Sequence, residues 1–209
     1  MKRSETLRKI IHMLFSLILA APLLLREYVE PGILYGAALA LGGLIYSIQV
    51  KGPPDWLRAS MQLPQIRHLE VIVESFERLV SMVERDYERR SGWLGMISGL
   101  MGGASSYFIF GSYVIYGVLG LFWVDGVSTI VGTNIGARRV PFTNKTIEGT
   151  LAGFLSFFIV MVLITGNLPG SLILASASSL AELYGAEDNI AVPLVASAIA
   201  YLMALPLPL

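Results

Sequence analysis

The sequence predicts an all-α, polytopic integral membrane protein of about seven transmembrane helices, with one cytoplasmic amphipathic helix and the N-terminus inside. Three observations predict it. Hydrophobic residues make up 55% of the 209-residue chain and charged residues only 14%, with a mean hydropathy of +0.67, too apolar for a soluble domain of this size. The apolar residues are gathered into separate long stretches. Lys and Arg fall almost wholly between alternate stretches, the asymmetry that orients membrane proteins.

The stretches lie at 10–25, 32–50, 93–110, 113–135, 149–164, 172–181 and 190–207. A helix needs roughly 20 residues to cross the hydrocarbon. The sixth stretch is short and rich in small residues, Ala175 to Ser179, so it either packs inside the bundle or extends past its apolar core at both ends. The first is basic and then apolar, like a signal peptide. No Ala-x-Ala site precedes Arg26-Glu27-Tyr28, so it reads as a retained first span.

Lys2, Arg3, Arg8 and Lys9 precede span one. Seven Lys and Arg residues, Lys51 to Arg90, lie between spans two and three, and Arg138, Arg139 and Lys145 lie between spans four and five. The other side holds only Arg26. Seven crossings then leave the N-terminus inside and the C-terminus outside. The chain reads as one membrane-embedded domain, 1–209, in which 51–90 is the sizeable polar region. There Ile66, Leu69, Val73, Phe76, Val80, Val83 and Tyr87 recur at steps of three and four, one apolar face of a helix lying on the membrane or the bundle. The same period fits a coiled-coil seam, and so a homodimer. With no cysteine, the chain has neither disulfides nor thiolate chemistry. Formal net charge is zero and points to no partner; no nucleic-acid partner is expected.

Between Ser91 and Ala137 one residue carries formal charge, Asp125. A carboxylate inside a span costs about 2.5 kcal/mol or more, so it faces a polar cavity or a cation. Asp125, Ser128 or Thr129, and Gly132 share a helical face. Gly132 and Gly136 let either another backbone or a phosphate approach closely. The following loop brings Arg138, Arg139 and Lys145 to the start of span five, where free N–H groups and the dipole suit phosphate. The two arginines serve equally as positive-inside anchors, and Glu148 suits a helix N-terminus. Asp125 and Glu148 together are expected to hold Mg²⁺. At the same depth lie Arg8 and His12, one turn apart, then Glu182, Asp188 and Asn189, with Asp188 or Asn189 a credible N-cap. Arg85 and Glu88 end the amphipathic helix. The agreement in depth suggests a phosphate-and-metal site at the cytoplasmic interface, using a nucleoside triphosphate and a lipid from the bilayer.

At these residues the chain resembles the polyprenol kinase family, which includes dolichol kinase, phytol kinase and CTP-dependent diacylglycerol kinases and is distantly related to phosphatidate cytidylyltransferases. The likeness runs over nearly the whole chain. Arg8-Lys9-Ile10-Ile11-His12 is similar to the family's Arg-Lys-x-x-His opening. Asp125-Gly126 through Gly132 and Gly136 resembles its Asp-centred span, with Val124 where Gly is common. Lys145-Thr146-Ile147-Glu148-Gly149-Thr150 matches its Lys-Thr-x-Glu-Gly-Thr segment, the most specific element. Glu182, Asp188-Asn189 and Pro193 look like its closing pattern.

The resemblance implies transfer of the γ-phosphoryl group of CTP to a lipid alcohol, dolichol or another polyprenol, in a multi-pass protein of the cell membrane (or the ER membrane in a eukaryote) with its active site facing the cytoplasm. It implies that Lys145, with Arg138 or Arg139, binds phosphates and that Asp125 and Glu148 hold Mg²⁺. Asp188 or Glu182 binds a second metal or takes the hydroxyl proton. Asn134, Thr146 and Asn189 orient phosphate or base, with Gly132, Gly136 and Gly149 on the nucleotide side. The lipid tail is expected between spans, where Gly99, Gly102 and Gly103 leave room.

Overall fold

The computed structural model describes residues 2–51, 75, 78 and 94–208. Apart from Ser75 and Arg78, the amphipathic run from Ile66 to Tyr87, with Arg85 and Glu88, lies outside the described residues. The regular structure among the described residues is helical, apart from one isolated bridge between Arg139 and Thr146. In order come α1 (Lys2–Ile18), α2 (Ala21–Leu24), α3 (Pro31–Lys51), α4 (Leu94–Phe110), a 3₁₀ turn (Gly111–Tyr113), α5 (Val114–Gly120), a π-helical turn (Leu121–Gly126), α6 (Val127–Ile135), α7 (Ile147–Thr165), α8 (Leu168–Tyr184) and α9 (Asp188–Leu202). Four helical stretches are long and apolar enough to cross a membrane: Thr6–Leu24, Pro31–Ile48, Gly95–Ile135 and Ile147–Thr165.

The third of these is 41 residues long and is not one rod. Gly111, at φ +60, turns the chain back on itself, a conformation open to glycine and costly for other residues. The contacts of α9 show the reversal. On α4, Gly102 lies against Asn189 and the Phe110 ring packs tilted against Tyr201. On the next leg, Tyr113 meets Tyr201, Gly117 lies against Pro193, and Gly120 meets Val192. The α4 leg therefore runs parallel to α9 and the α5–α6 leg antiparallel to it, with α9 wedged between them.

Capping explains the other boundaries. Thr146 Oγ1 accepts from Gly149 N–H at the start of α7, and Asn167 Oδ1 from Gly170 N–H at the start of α8. Gly166, at φ +64, closes α7. The seventh apolar stretch was expected to reach residue 207, but α9 stops at Leu202. Pro206 and Pro208 cannot continue a helix, and the tail folds back so that Leu205 is buried and Tyr116 Oη donates to the Pro206 carbonyl. Both alternatives for the sixth stretch hold. Helix α8 extends past its apolar core at each end, and it packs inward through Ser171, Leu174, Ala175, Ser178 and Ser179.

The core gathers Tyr116, Phe157, Met161, Leu174, Ala196 and Ala200 from α5, α7, α8 and α9. The outside also carries many large apolar side chains. Along α7, Leu151, Leu155, Ile159 and Leu163 form an exposed row at steps of four. Water would oppose such a face, whereas a helix bundle solvated by lipid tails presents it.

Candidate functional site

Asp125 sits in the π turn, where hydrogen bonds reach back five residues and the helix widens, a feature common at functional sites. Gly126 beside it admits α1 closely, since a Cβ there would meet Met13 Cγ at 2.5 Å. Asp125 is buried, and its Oδ2 accepts from Lys9 Nζ at 2.5 Å. One turn along α1, His12 Nε2 lies 3.8 Å from the same oxygen and 3.2 Å from Asn189 Oδ1. Asn189 Nδ2 donates to Gly95 O (3.1 Å) and Ser98 Oγ (3.4 Å), which leaves Oδ1 to accept from His12. Helices α1, α4 and α9 are thus tied around the carboxylate.

A second set of charges adjoins the first. Glu182, on α8, is 1% exposed. Its Oε1 accepts from Ser128 Oγ at 2.8 Å and from Lys145 Nζ at 2.7 Å. Lys145 Nζ also donates to Asp188 Oδ2 at 2.6 Å. Burial by itself draws the Lys145 pKa down, but the charges of Glu182 and Asp188 outweigh it and hold the ammonium above its ordinary range. The loop before α7 aims this lysine. Val140 N–H donates to Lys145 O (3.0 Å) and Ile147 N–H to Arg138 O (2.9 Å), so the chain doubles back and delivers Lys145 just before the Thr146 cap.

Asp125, Glu182 and Asp188 each present an oxygen within 4.8 Å of the other two. Hard cations such as Mg²⁺ take oxygen ligands of this kind. Among the described residues Glu182 Oε2 is buried with no hydrogen-bond partner, a costly state for a carboxylate oxygen. The donor set fits a divalent cation.

The sequence expected Glu148 to share a metal with Asp125, but the three-acid group does not include it. Glu148 Oε2 accepts from the backbone N–H groups of Ala137 (3.1 Å) and Arg138 (3.3 Å). A first-turn carboxylate is drawn to free loop amides, and here it braces the loop that carries Lys145. Glu182 and Asp188, far along the chain, stand beside Asp125 instead.

The glycines divide the same way. A Cβ on Gly132 would meet Thr146 Oγ1 at 2.8 Å, and one on Gly149 would meet the Ser128 carbonyl and, at 3.0 Å, Gly132 Cα. The close approach of a backbone is realised at Gly132 and Gly136, because α6 and the start of α7 touch there, and both glycines also line the cavity described next. Asn134 is exposed and donates to Thr6 Oγ1 (2.9 Å) and the Ile130 carbonyl (2.8 Å). It secures α1 to α6 and does not line the cavity described next.

One cavity of about 1010 Å³ joins these groups. Arg8, Lys9, His12, Asp125, Arg139, Lys145, Thr146, Glu182, Asp188 and Asn189 line it, and Arg138 does not. The sequence places Lys9 among the topology charges and in the Arg-Lys-x-x-His opening, but gives it no role in the site. Its spacing of three from His12, one face of α1, was the signal that could have found it. Ser128 was noted on the Asp125 face, but its role as donor to Glu182 needed the fold. Together, fold and site define a helical, membrane-type protein with a buried cluster of acids and lysines opening on one cavity. Comparison with protein-family models, with curated proteins and with solved structures finds no match to this chain.

Proposed function

We propose that the chain is a lipid-alcohol kinase of the polyprenol kinase type, a seven-span protein with its N-terminus and site on the cytoplasmic side, transferring the γ-phosphoryl group of CTP to dolichol or another polyprenol. One observation carries the reading: three carboxylates and two lysines, from four separated parts of the chain, converge on one cavity that also reaches apolar helix surface. A carboxylate cluster buried in an apolar bundle needs a cationic purpose.

In this reading Asp125 and Glu182 would hold Mg²⁺, with Asp188 beside them. When bound, the ion neutralises charge on the transferring phosphoryl group. Lys145 and Arg139 draw the phosphates into the cavity, Lys145 exchanging part of its bond to Glu182 or Asp188 for a phosphate oxygen. The lipid hydroxyl attacks the γ-phosphorus, the bond to the bridging oxygen breaks, and CDP leaves. The hydroxyl proton passes to Asp188, the least buried of the three acids. His12, held by Asn189, keeps Lys9 and Asp125 in register.

The test is direct. Purified protein is supplied with Mg²⁺, labelled CTP or ATP and a panel of lipid alcohols including polyprenol, phytol and diacylglycerol, and a labelled phospholipid product is sought. Asp125→Asn is expected to abolish it, and chelation of the metal to do the same. No labelled lipid with either donor would falsify the kinase reading. Release of pyrophosphate rather than CDP, with phosphatidate as acceptor, would turn it into nucleotidyl transfer.

A further inference from the structure

The cavity has a second arm that the phosphate chemistry does not use. Beyond His12 it runs between α1, α3 and α4 and is lined by Leu19, Ala38, Leu41, Gly42, Gly99 and Leu100. Its origin lies in the packing. Helix α3 packs along α4, α1 packs along the π turn and α6, and α1 touches α3 and α4 only sparsely. The gap closes at the far end, where Tyr35 Oη donates to the Leu19 carbonyl at 2.5 Å and Gly103 faces the Leu19 side chain. From His12 to Leu19 is seven residues of chain, about 10 Å of depth at 1.5 Å per residue. Ile18 and Leu41 line this arm, yet they are 59% and 60% exposed. The arm therefore opens sideways through the α1–α3 gap to the apolar surroundings.

We propose that this arm seats the hydrocarbon tail of the substrate, which enters sideways between α1 and α3, and that Gly99 sets how bulky a tail it takes. The inference rests on the lipid-alcohol reading above and adds the place and the determinant of tail recognition. One continuous cavity that is charged at one end and free of charge along the other matches an amphipathic molecule with a polar head and an apolar chain. The three glycines on α4 separate by their surroundings. Gly102 is pressed on the Asn189 carbonyl, Gly103 is in ordinary contact with the Leu19 side chain, and neither lines the cavity. At Gly99 a Cβ would meet nothing within 4 Å among the described residues, and the residue lines the cavity. Space there is kept open by the missing side chain.

The experiment uses the full chain in lipid nanodiscs and a long-chain isoprenoid alcohol carrying a diazirine midway along its tail. After photolysis, labelled peptides are mapped by mass spectrometry in the wild type and in Gly99→Leu. Leucine favours helix over glycine and meets open space at Cβ, so the variant is expected to fold, which its melting curve in detergent checks. Label is expected in 15–19, 38–45 and 96–100, and Gly99→Leu is expected to weaken it by about tenfold or more, the scale on which a pocket discriminates one or a few methylenes. With turnover as readout, the variant raises KM for long-tailed acceptors more than for a short water-soluble alcohol. Label on the exposed row of α7 with none in the arm overturns the inference, as does labelling that Gly99→Leu leaves unchanged. Label in the arm with no phosphorylated product from any donor supports the tail site and sinks the kinase reading instead.

Discussion

Lys145 is placed so that one ammonium answers two carboxylates, one of them wholly buried. Removing one partner of a buried pair leaves the other charged and uncompensated. Lys145→Ala is therefore expected to cost about 3 kcal/mol, the low end for such pairs because the lysine keeps some access to water. Adding Glu182→Gln is expected to return part of that loss. Thermal unfolding in detergent across the double-mutant cycle measures the coupling, and purely additive losses would contradict the pairing. The pH dependence follows from the same geometry. The folded-state pKa of Lys145 is raised, so its stabilisation is fully present below the ordinary lysine value of about 10.4 and is lost only as pH rises through the higher folded value. The melting temperature of the wild type, compared with Lys145→Gln, is expected to diverge by a constant amount across neutral pH and to converge only in strong alkali. Convergence already near neutrality would mean that Lys145 is not held by its two acids.

At the scale of elements, neighbouring glycines on one helix do opposite work. Gly102→Ala drives a methyl into the Asn189 carbonyl, with Ile190 Cα at 2.9 Å, backbone that cannot step aside. It is expected to destabilise by about 1–3 kcal/mol. Gly99→Ala meets no neighbour among the described residues and gains helix propensity, so it is expected to stabilise by up to about 1 kcal/mol. Melting curves of the two variants check the opposite signs. The sequence could not make this distinction, since the spacing of Gly99, Gly102 and Gly103 tells which face they share and not what lies against it. What it made legible were features set by solvent. Apolar length marked the helices, and a lone charge between Ser91 and Ala137 marked Asp125. It also marked the depth at which His12, Lys145, Glu182 and Asp188 gather. Partner choice was not legible, because Glu148 and Glu182 are both acids at helix ends and only packing decides which one turns toward Asp125. The π turn under Asp125 was hidden as well, because hydropathy does not register a change from four-residue to five-residue hydrogen bonding.

For the whole molecule, the contacts sort the helix ends into two levels. At one level Thr6 meets Asn134, His12 meets Asn189, and Lys145 meets Asp188. At the other, Tyr107 Oη donates to Glu30 Oε1 at 2.8 Å, Thr165 pairs with Ser171, and Tyr116 with the Pro206 carbonyl. The first level carries Arg8, Lys9, Arg138, Arg139 and Lys145, and Arg26 lies with the second. In the proposed orientation, which follows the rule that cationic loops stay in the cytoplasm, the site faces inside. The chain has no cysteine, so single cysteines report topology without background. Asn144→Cys, in the exposed loop before Lys145, is expected to react with a membrane-impermeant maleimide only in inside-out vesicles. Tyr28→Cys, 82% exposed at the opposite level, is expected to react only in right-side-out vesicles. Labelling of both from one side would break the two-level arrangement itself. Labelling in the reversed sense would preserve the bundle but turn the acid–lysine cavity away from the compartment that supplies nucleoside triphosphates, leaving a kinase without its donor.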